Sequence, residues 1–422
     1  MRWAQELIDY LHAIRVSRVS NHRAKPESIP LFTREARIKR QLREHLRSLG
    51  FTRDDSGHLQ PPELTKECFR RMHQAQRVEK LAESRRLVET CWPKLQQYFA
   101  NGADVDPQRA VARLELVDSD TWQSDLFRLA CLTWSVPVSQ GYGRRMRYLV
   151  WDDSNGKLIG VVALGDPVFN LKVRDDWIGW SVEQRRQRLV DVMDAYVLGA
   201  VPPYNMLLGG KLVACLAGTA EVRDAFATKY AKSKGLISKK RKRPSLCLVT
   251  TTSALGRSAL YNRLRLNGKQ VFESLGYTSG WGHFHIPDRL FTSMREYLTV
   301  AKDPYADNHQ YGDGPNWRLR AVRKVLSLIG MNPDLLRHGI ARELFACELA
   351  ANAKDVLKGL TVDPDYTALP TVATVSHLAR DRWIIPRAAR RSEFRAWRKD
   401  AMLELLAEAR RLPALRRSVQ SG

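Results

Sequence analysis

The chain has 422 residues and a mass of 48.3 kDa, too long for one ordinary domain at roughly 150 residues each and room for two or three. Hydrophobic residues make up 44% and 11 are Trp, which excludes a disordered tail or a fibre. Lys plus Arg number 69 against 45 Asp plus Glu, a formal charge of +24 with a pI near 10.0, which favours polyanionic partners and puts nucleic acid first among them. No run of about 18 apolar residues marks a membrane span, and charge at Arg2 and Glu6 leaves no room for a signal peptide, so the chain is expected in the cytosol. Cys68, Cys91, Cys131, Cys215, Cys247 and Cys347 lack the close pairing of a zinc or redox motif and read as reduced, mostly buried thiols.

Residues 1–140 read as a helical module. Ile38, Leu42, Leu46 and Leu49 recur at helical spacing, Gly50 stops that helix, and Pro61 and Pro62 mark a turn. A second helical stretch over 64–99 is expected to kink or divide at Pro93. The arginines here serve either a solvated helix face or a phosphate-contacting surface.

Residues 141–300 form an α/β core. Apolar runs at 146–151 and 158–164 flank an Asn155-Gly156 turn and predict a β-hairpin. Ser181, with Glu183 and Gln184 behind it, caps a helix expected to reach about Asp194. Then come a strand at 195–200, a tight turn at 208–210, a helix from Lys211 to about Lys232, a strand at 246–251, a mainly helical stretch at 258–275, a short extended piece through Phe284 and a helix from Asp288 to about Val300. Residues 301–422 are basic and mainly helical. The expected class is α/β (α+β), a central mixed sheet flanked by helices with helical N- and C-terminal segments.

Five features carry candidate chemistry. Leu208, Gly209, Gly210 and Lys211 stand where a strand passes into a helix. Glycines there admit close backbone approach, the first helical N–H groups lack internal partners, and the helix dipole favours an anion. The same residues also make a plain tight turn. Tyr261 follows the strand–turn of 246–257, either as a functional phenol or as a ring packed on the sheet. His283 and His285, two apart, would share one face of a strand and hold a divalent metal with Asp288 nearby, leaving Tyr297 to attack a phosphodiester; a structural histidine pair is the alternative.

Lys239, Lys240, Arg241, Lys242 and Arg243 form a run without acids, a salt-sensitive grip on phosphates or a mobile loop. Aromatics alternate with Arg over 380–398, including Trp383, Arg387, Arg391 and Trp397, a pattern suited to base stacking beside phosphate pairing and equally to a packed helix with an Arg rim.

The order of elements, the Gly209-Gly210 turn, Ala259-Leu260-Tyr261 and Leu275-Gly276-Tyr277 resemble a GCN5-related acyltransferase fold. That resemblance implies a coenzyme A pyrophosphate cradled by Leu208, Gly209, Gly210 and Lys211, with Tyr261 as a general acid toward the thiolate. More widely, Arg147-Tyr148-Leu149, Trp177-Ile178-Gly179-Trp180, Leu207 through Leu212, Tyr261 through Leu264, Gly280 through His285 and Trp383 through Arg387 are similar to the DruA-like family of the Druantia antiphage system. It implies a defence protein acting on or binding nucleic acid, DNA first, with protein partners from its own system. Acyl transfer, metal-dependent nicking of the HUH type, and non-enzymatic sensing or recruitment all stay open.

Overall fold

In the computed structural model, residues 33–139, 143–232, 244–307 and 315–407 are described. The basic run at Lys239, Lys240, Arg241, Lys242 and Arg243 lies outside them.

The N-terminal helix α1 (Arg34–Ser48) starts where the Thr33 hydroxyl accepts from the Ala36 N–H and ends ahead of a left-handed Gly50. It buries Ile38, Leu42 and Leu46. Helices α2 (Lys66–Glu83) and α3 (Arg85–Leu95) follow. The break falls at Ser84 and not at the expected Pro93, because Pro93 sits in the last turn of α3, where its missing N–H ends a helix instead of splitting one.

One seven-stranded sheet organises the molecule. Its strands are β1 (Ala112–Leu116), β2 (Arg145–Asp152), β3 (Lys157–Gly165), β4 (Val192–Ala200), β5 (Leu248–Thr252), β6 (Glu273–Tyr277) and β7 (Glu343–Glu348). In space the order is β6-β7-β5-β4-β3-β2-β1. Every neighbouring pair is antiparallel except β4 and β5, which run parallel over only three partners, from Val192 opposite Leu248 to Asp194 opposite Thr250. The predicted hairpin is β2–β3, with Gly156 left-handed at its turn. The sheet draws on all three expected segments, since β1 comes from 1–140 and β7 from 301–422.

Alternation along the strands sends Met146, Tyr148 and Val150 to one face and Leu149 and Trp151 to the other. The first face is covered by α7 (Gly209–Leu216), α8 (Ala220–Tyr230) and α12 (Val372–Ala379). On the second lie α3 and α4 (Trp122–Cys131) at one end. At the other end lie α5 (Lys172–Ile178) and α11 (Ala353–Lys358). A separate core joins α1 and α2 to α9 (Asp288–Val300) and α10 (Pro315–Leu328), so residues inserted between β6 and β7 complete the N-terminal helices.

Three predicted helices are corrected. The Ser181 capping box with Gln184 is present, but α6 (Val182–Arg188) stops early because Val192 already belongs to β4. The helix expected from Lys211 to Lys232 is broken between α7 and α8 at Gly218, where any Cβ would meet Cys347 Sγ at 2.6 Å. The stretch 258–275 is a short 3-10 turn at Tyr261–Arg263, a small hairpin and β6. Asn267 and Gly268, both at positive φ, make that hairpin's turn, and Leu264 and Leu266 are buried at the two-residue spacing of a strand. None of the six cysteines is disulfide-bonded, and four are buried.

Candidate nucleic-acid interface

Where β4 and β5 cease to pair, the sheet opens. Thr251 Oγ1 reaches across to the Ala195 carbonyl at 2.8 Å, a side chain taking over where backbone pairing stops. Crevices beyond the carboxyl ends of parallel strands at such a change of direction are where open α/β sheets bind ligands. The chain leaves β4 through a 3-10 turn at Tyr204–Leu207 and a left-handed Leu208 (φ 61°), then enters α7 at Gly209. Gly209 is dictated by packing, since a Cβ would lie 2.6 Å from the Tyr204 carbonyl oxygen. Gly210 is not, for its Cβ would meet only Leu260 Cδ1 at 3.6 Å.

Lys211 extends from this junction to the Trp383 ring, with Nζ 5.2 Å from the centroid. Burial depresses its pKa, and the neighbouring charges of Arg382 and Arg263 depress it further. Arg263 and Arg382 are exposed, and among the described residues neither they nor Lys211 has a carboxylate partner. Arg387 Nε donates to the Met206 carbonyl at 3.2 Å, which fastens the C-terminal segment to the turn before α7. Arg391 lies beyond, exposed and 3.2 Å from Glu393. The fold thus unites the Gly209-Gly210-Lys211 junction, the Tyr261–Arg263 turn and the Trp383-to-Arg387 segment, which are far apart in sequence.

Tyr261 is on a 3-10 turn, not the helix its resemblance implied. Its ring packs on Phe272 and Phe345, at 5.2 and 5.0 Å, and its hydroxyl end is buried toward Thr251 and Asp194, which pushes its pKa up to about 12. Asp194, bonded by Thr250 Oγ1 at 2.8 Å, is raised to about 6 by burial. Glu343 anchors the whole turn: its carboxylate accepts from Ser258 N, Asn262 Nδ2 and Ser274 Oγ at 2.9 to 3.0 Å. Neither Asp194 nor Glu343 was singled out from sequence. Asp194 is a lone acid in an otherwise apolar strand, and that was the signal to follow.

His283 and His285 occupy a turn, not one face of a strand. His285 is buried, donates through Nε2 to the Leu335 carbonyl at 2.9 Å, and packs against Phe51, Phe284 and His338. Burial lowers its pKa to about 4, and that of His73, bonded to Gln76, likewise. His283 is half-buried, and Tyr297 donates to Glu35 Oε1 at 2.9 Å instead of facing the histidines. Asp288 pairs with Arg318 and lies by Glu79 and Glu83. Among the described residues these three acids are the one group of His, Cys, Asp or Glu spaced to hold a metal, and it contains no histidine.

The fold and this cation-rich junction define a basic α/β protein with a strand-to-helix turn rich in positive charge. The family model described as "Druantia protein DruA" matches residues 63–359, and the chain belongs to that family. The Druantia protein DruA of Escherichia coli (strain UMEA 4076-1) is 51% identical over 374 residues, covering 89% of this chain and 93% of that relative. No solved structure matches. Among the described residues, no helix is long and apolar enough to cross a membrane.

Proposed function

We propose that this Druantia antiphage defence protein grips nucleic acid, DNA first, on the surface formed by Lys211, Arg263 and Arg382 around Trp383. The observation that carries this reading is the grouping of three cations without a carboxylate partner at the N-terminus of α7. Like charges held together cost folding free energy, and a phosphate backbone removes that cost on binding. Trp383, already under Lys211, is largely buried, so it shapes the surface while the cations meet phosphates. The basic run from Lys239 to Arg243 adds to the same sequence-independent attraction.

A second reading, acyl transfer, is supported by the short parallel pairing of β4 with β5, which ends at Asp194 and Thr250. The start of α7 and Lys211 suit the anionic end of a coenzyme A-type donor, and Gly210 leaves room for its approach. Such a donor would supply an activated acyl group. Tyr261, kept protonated by burial beside Thr251, is the residue of this chain that would hold a proton there.

Binding of single- and double-stranded DNA across a salt series, with and without acetyl-coenzyme A, tests both. Tight binding with a steep salt dependence is expected. Binding that is weak at low salt or insensitive to it sinks the nucleic-acid reading, and the lack of any thermal shift with acetyl-coenzyme A sinks the acyl-transfer reading alone.

A further inference from the structure

On the other face of the sheet, the helices α2 and α4 and the strands β2 and β4 enclose a cavity of about 250 Å³. Four cations line it, Arg77, Lys80, Arg128 and Arg147, and among the described residues no carboxylate does. Lys80 and Arg128 are engaged elsewhere, with Glu83 at 3.1 Å and Asp125 at 3.0 Å. Arg77 and Arg147 are not ion-paired among the described residues. Arg77 donates through Nη2 to the Leu405 carbonyl at 2.9 Å, and the Arg147 guanidinium lies beside the Tyr196 hydroxyl, whose pKa burial raises and Arg147 lowers. Two guanidinium groups on one cavity wall without a carboxylate between them call for an anion.

Two features of β4 build this wall. Its register with β3 skips a residue, Val197 opposing Ala163 and Ala195 opposing Leu164, so Tyr196 is the extra residue of a β-bulge. Tyr196 and Val197 therefore pack on the same face although adjacent in sequence, the re-aiming that bulges achieve. Gly199 then lets Trp134 lie directly on the strand, for a Cβ there would meet the indole at 2.2 Å. Trp134, Leu132 and Val138 add apolar lining to the cavity.

We propose that this cavity binds a small phosphorylated ligand of the nucleoside monophosphate class. Guanidinium groups without carboxylate partners favour a doubly charged phosphate monoester over a singly charged carboxylate. The apolar lining suits one flat ring. The volume is of the order needed for one small molecule and not for the body of an oligonucleotide. The site is independent of the DNA surface, which lies on the opposite face of the sheet.

Calorimetric titration of the full chain with adenosine and guanosine 5′-monophosphates, adenosine, inorganic phosphate, benzoate and a 5′-phosphorylated oligonucleotide tests the proposal. At least one monophosphate is expected to bind, adenosine not at all, and phosphate and benzoate more weakly. Arg147→Met should weaken the monophosphate about tenfold or more and Tyr196→Phe by a smaller factor, with DNA binding unchanged. Tyr196→Phe removes one oxygen only, so it remains informative if Arg147→Met does not fold. Equal binding of inorganic phosphate or benzoate overturns the ligand class, and oligonucleotide binding as tight as the monophosphate overturns the small-molecule assignment. No binding by either monophosphate, or unchanged affinity in Tyr196→Phe, overturns the site.

Discussion

The Gly209–Lys211 junction and the His283–His285 turn offered chemistry of similar promise in sequence, and the fold treats them in opposite ways. At the junction, cations that repel one another are left near solvent without acidic partners, and the backbone opens beside them. At the turn, His285 is packed against rings, donates to the Leu335 carbonyl, and is held neutral by burial. Unrelieved charge near solvent marks the first as a place for a ligand; burial among rings marks the second as core.

The largest effect that could break this comparison comes from Gly209. Gly209→Val should cost about 3 kcal/mol in denaturant unfolding, because the Tyr204 carbonyl blocks the new side chain. Gly210→Ala should leave stability within about 1 kcal/mol while reducing the effect of acetyl-coenzyme A on melting, if close backbone approach is what that glycine serves.

Next in size is the histidine core. His285→Leu should lower stability by about 2 kcal/mol through the lost bond to Leu335 and should leave divalent-metal binding, measured by calorimetry, unaltered. Because His285 and His73 titrate near 4 in the fold and near 6.5 unfolded, the unfolded chain binds more protons between those values. Stability from each is therefore full above about pH 6.5 and lost as pH falls toward 4, by up to about 1.4 kcal/mol per pH unit. Asp191 and Asp194, raised to about 6, act in the opposite sense, so the reading is the difference between the chain and His285→Leu, whose acid decline should be shallower.

At the junction itself, neutralising Lys211, Arg263 and Arg382 together should leave folding intact and reduce the slope of log affinity against log salt by about one per residue for every DNA sequence tested. Loss of binding to a single sequence would recast the surface as a base reader. The smallest effect is expected at Arg391, already paired with Glu393 in solvent: Arg391→Gln should shift neither the melting curve nor the DNA salt slope measurably.

Local signals made much of the fold legible. The apolar runs around Asn155-Gly156, the Ser181 cap and the helix at Asp288–Val300 each carry their structure in neighbouring residues. The stretch 258–275 is not the expected helix because, although Leu260 and Leu264 fit a helical period, Asn267-Gly268 just after them makes a hairpin turn. The partnership of Lys211 with Arg263, Arg382 and Trp383 had no local trace, since it depends on β-strand order and on a C-terminal segment folding back. The cavity of Arg147 and Tyr196 was hidden for a related reason: a one-residue bulge in β4 changes which side chain faces where, and periodicity alone does not announce it.

The position of β7 has one more consequence. Among the described strands it is the last to be made, yet it sits between β5 and β6. While the ribosome is still short of Glu343, β5 offers an unsatisfied edge and β6 has nothing to pair with. Unpaired edges of this kind recruit neighbouring chains, so slow translation or truncation before Glu348 should send the nascent protein toward aggregation and chaperones.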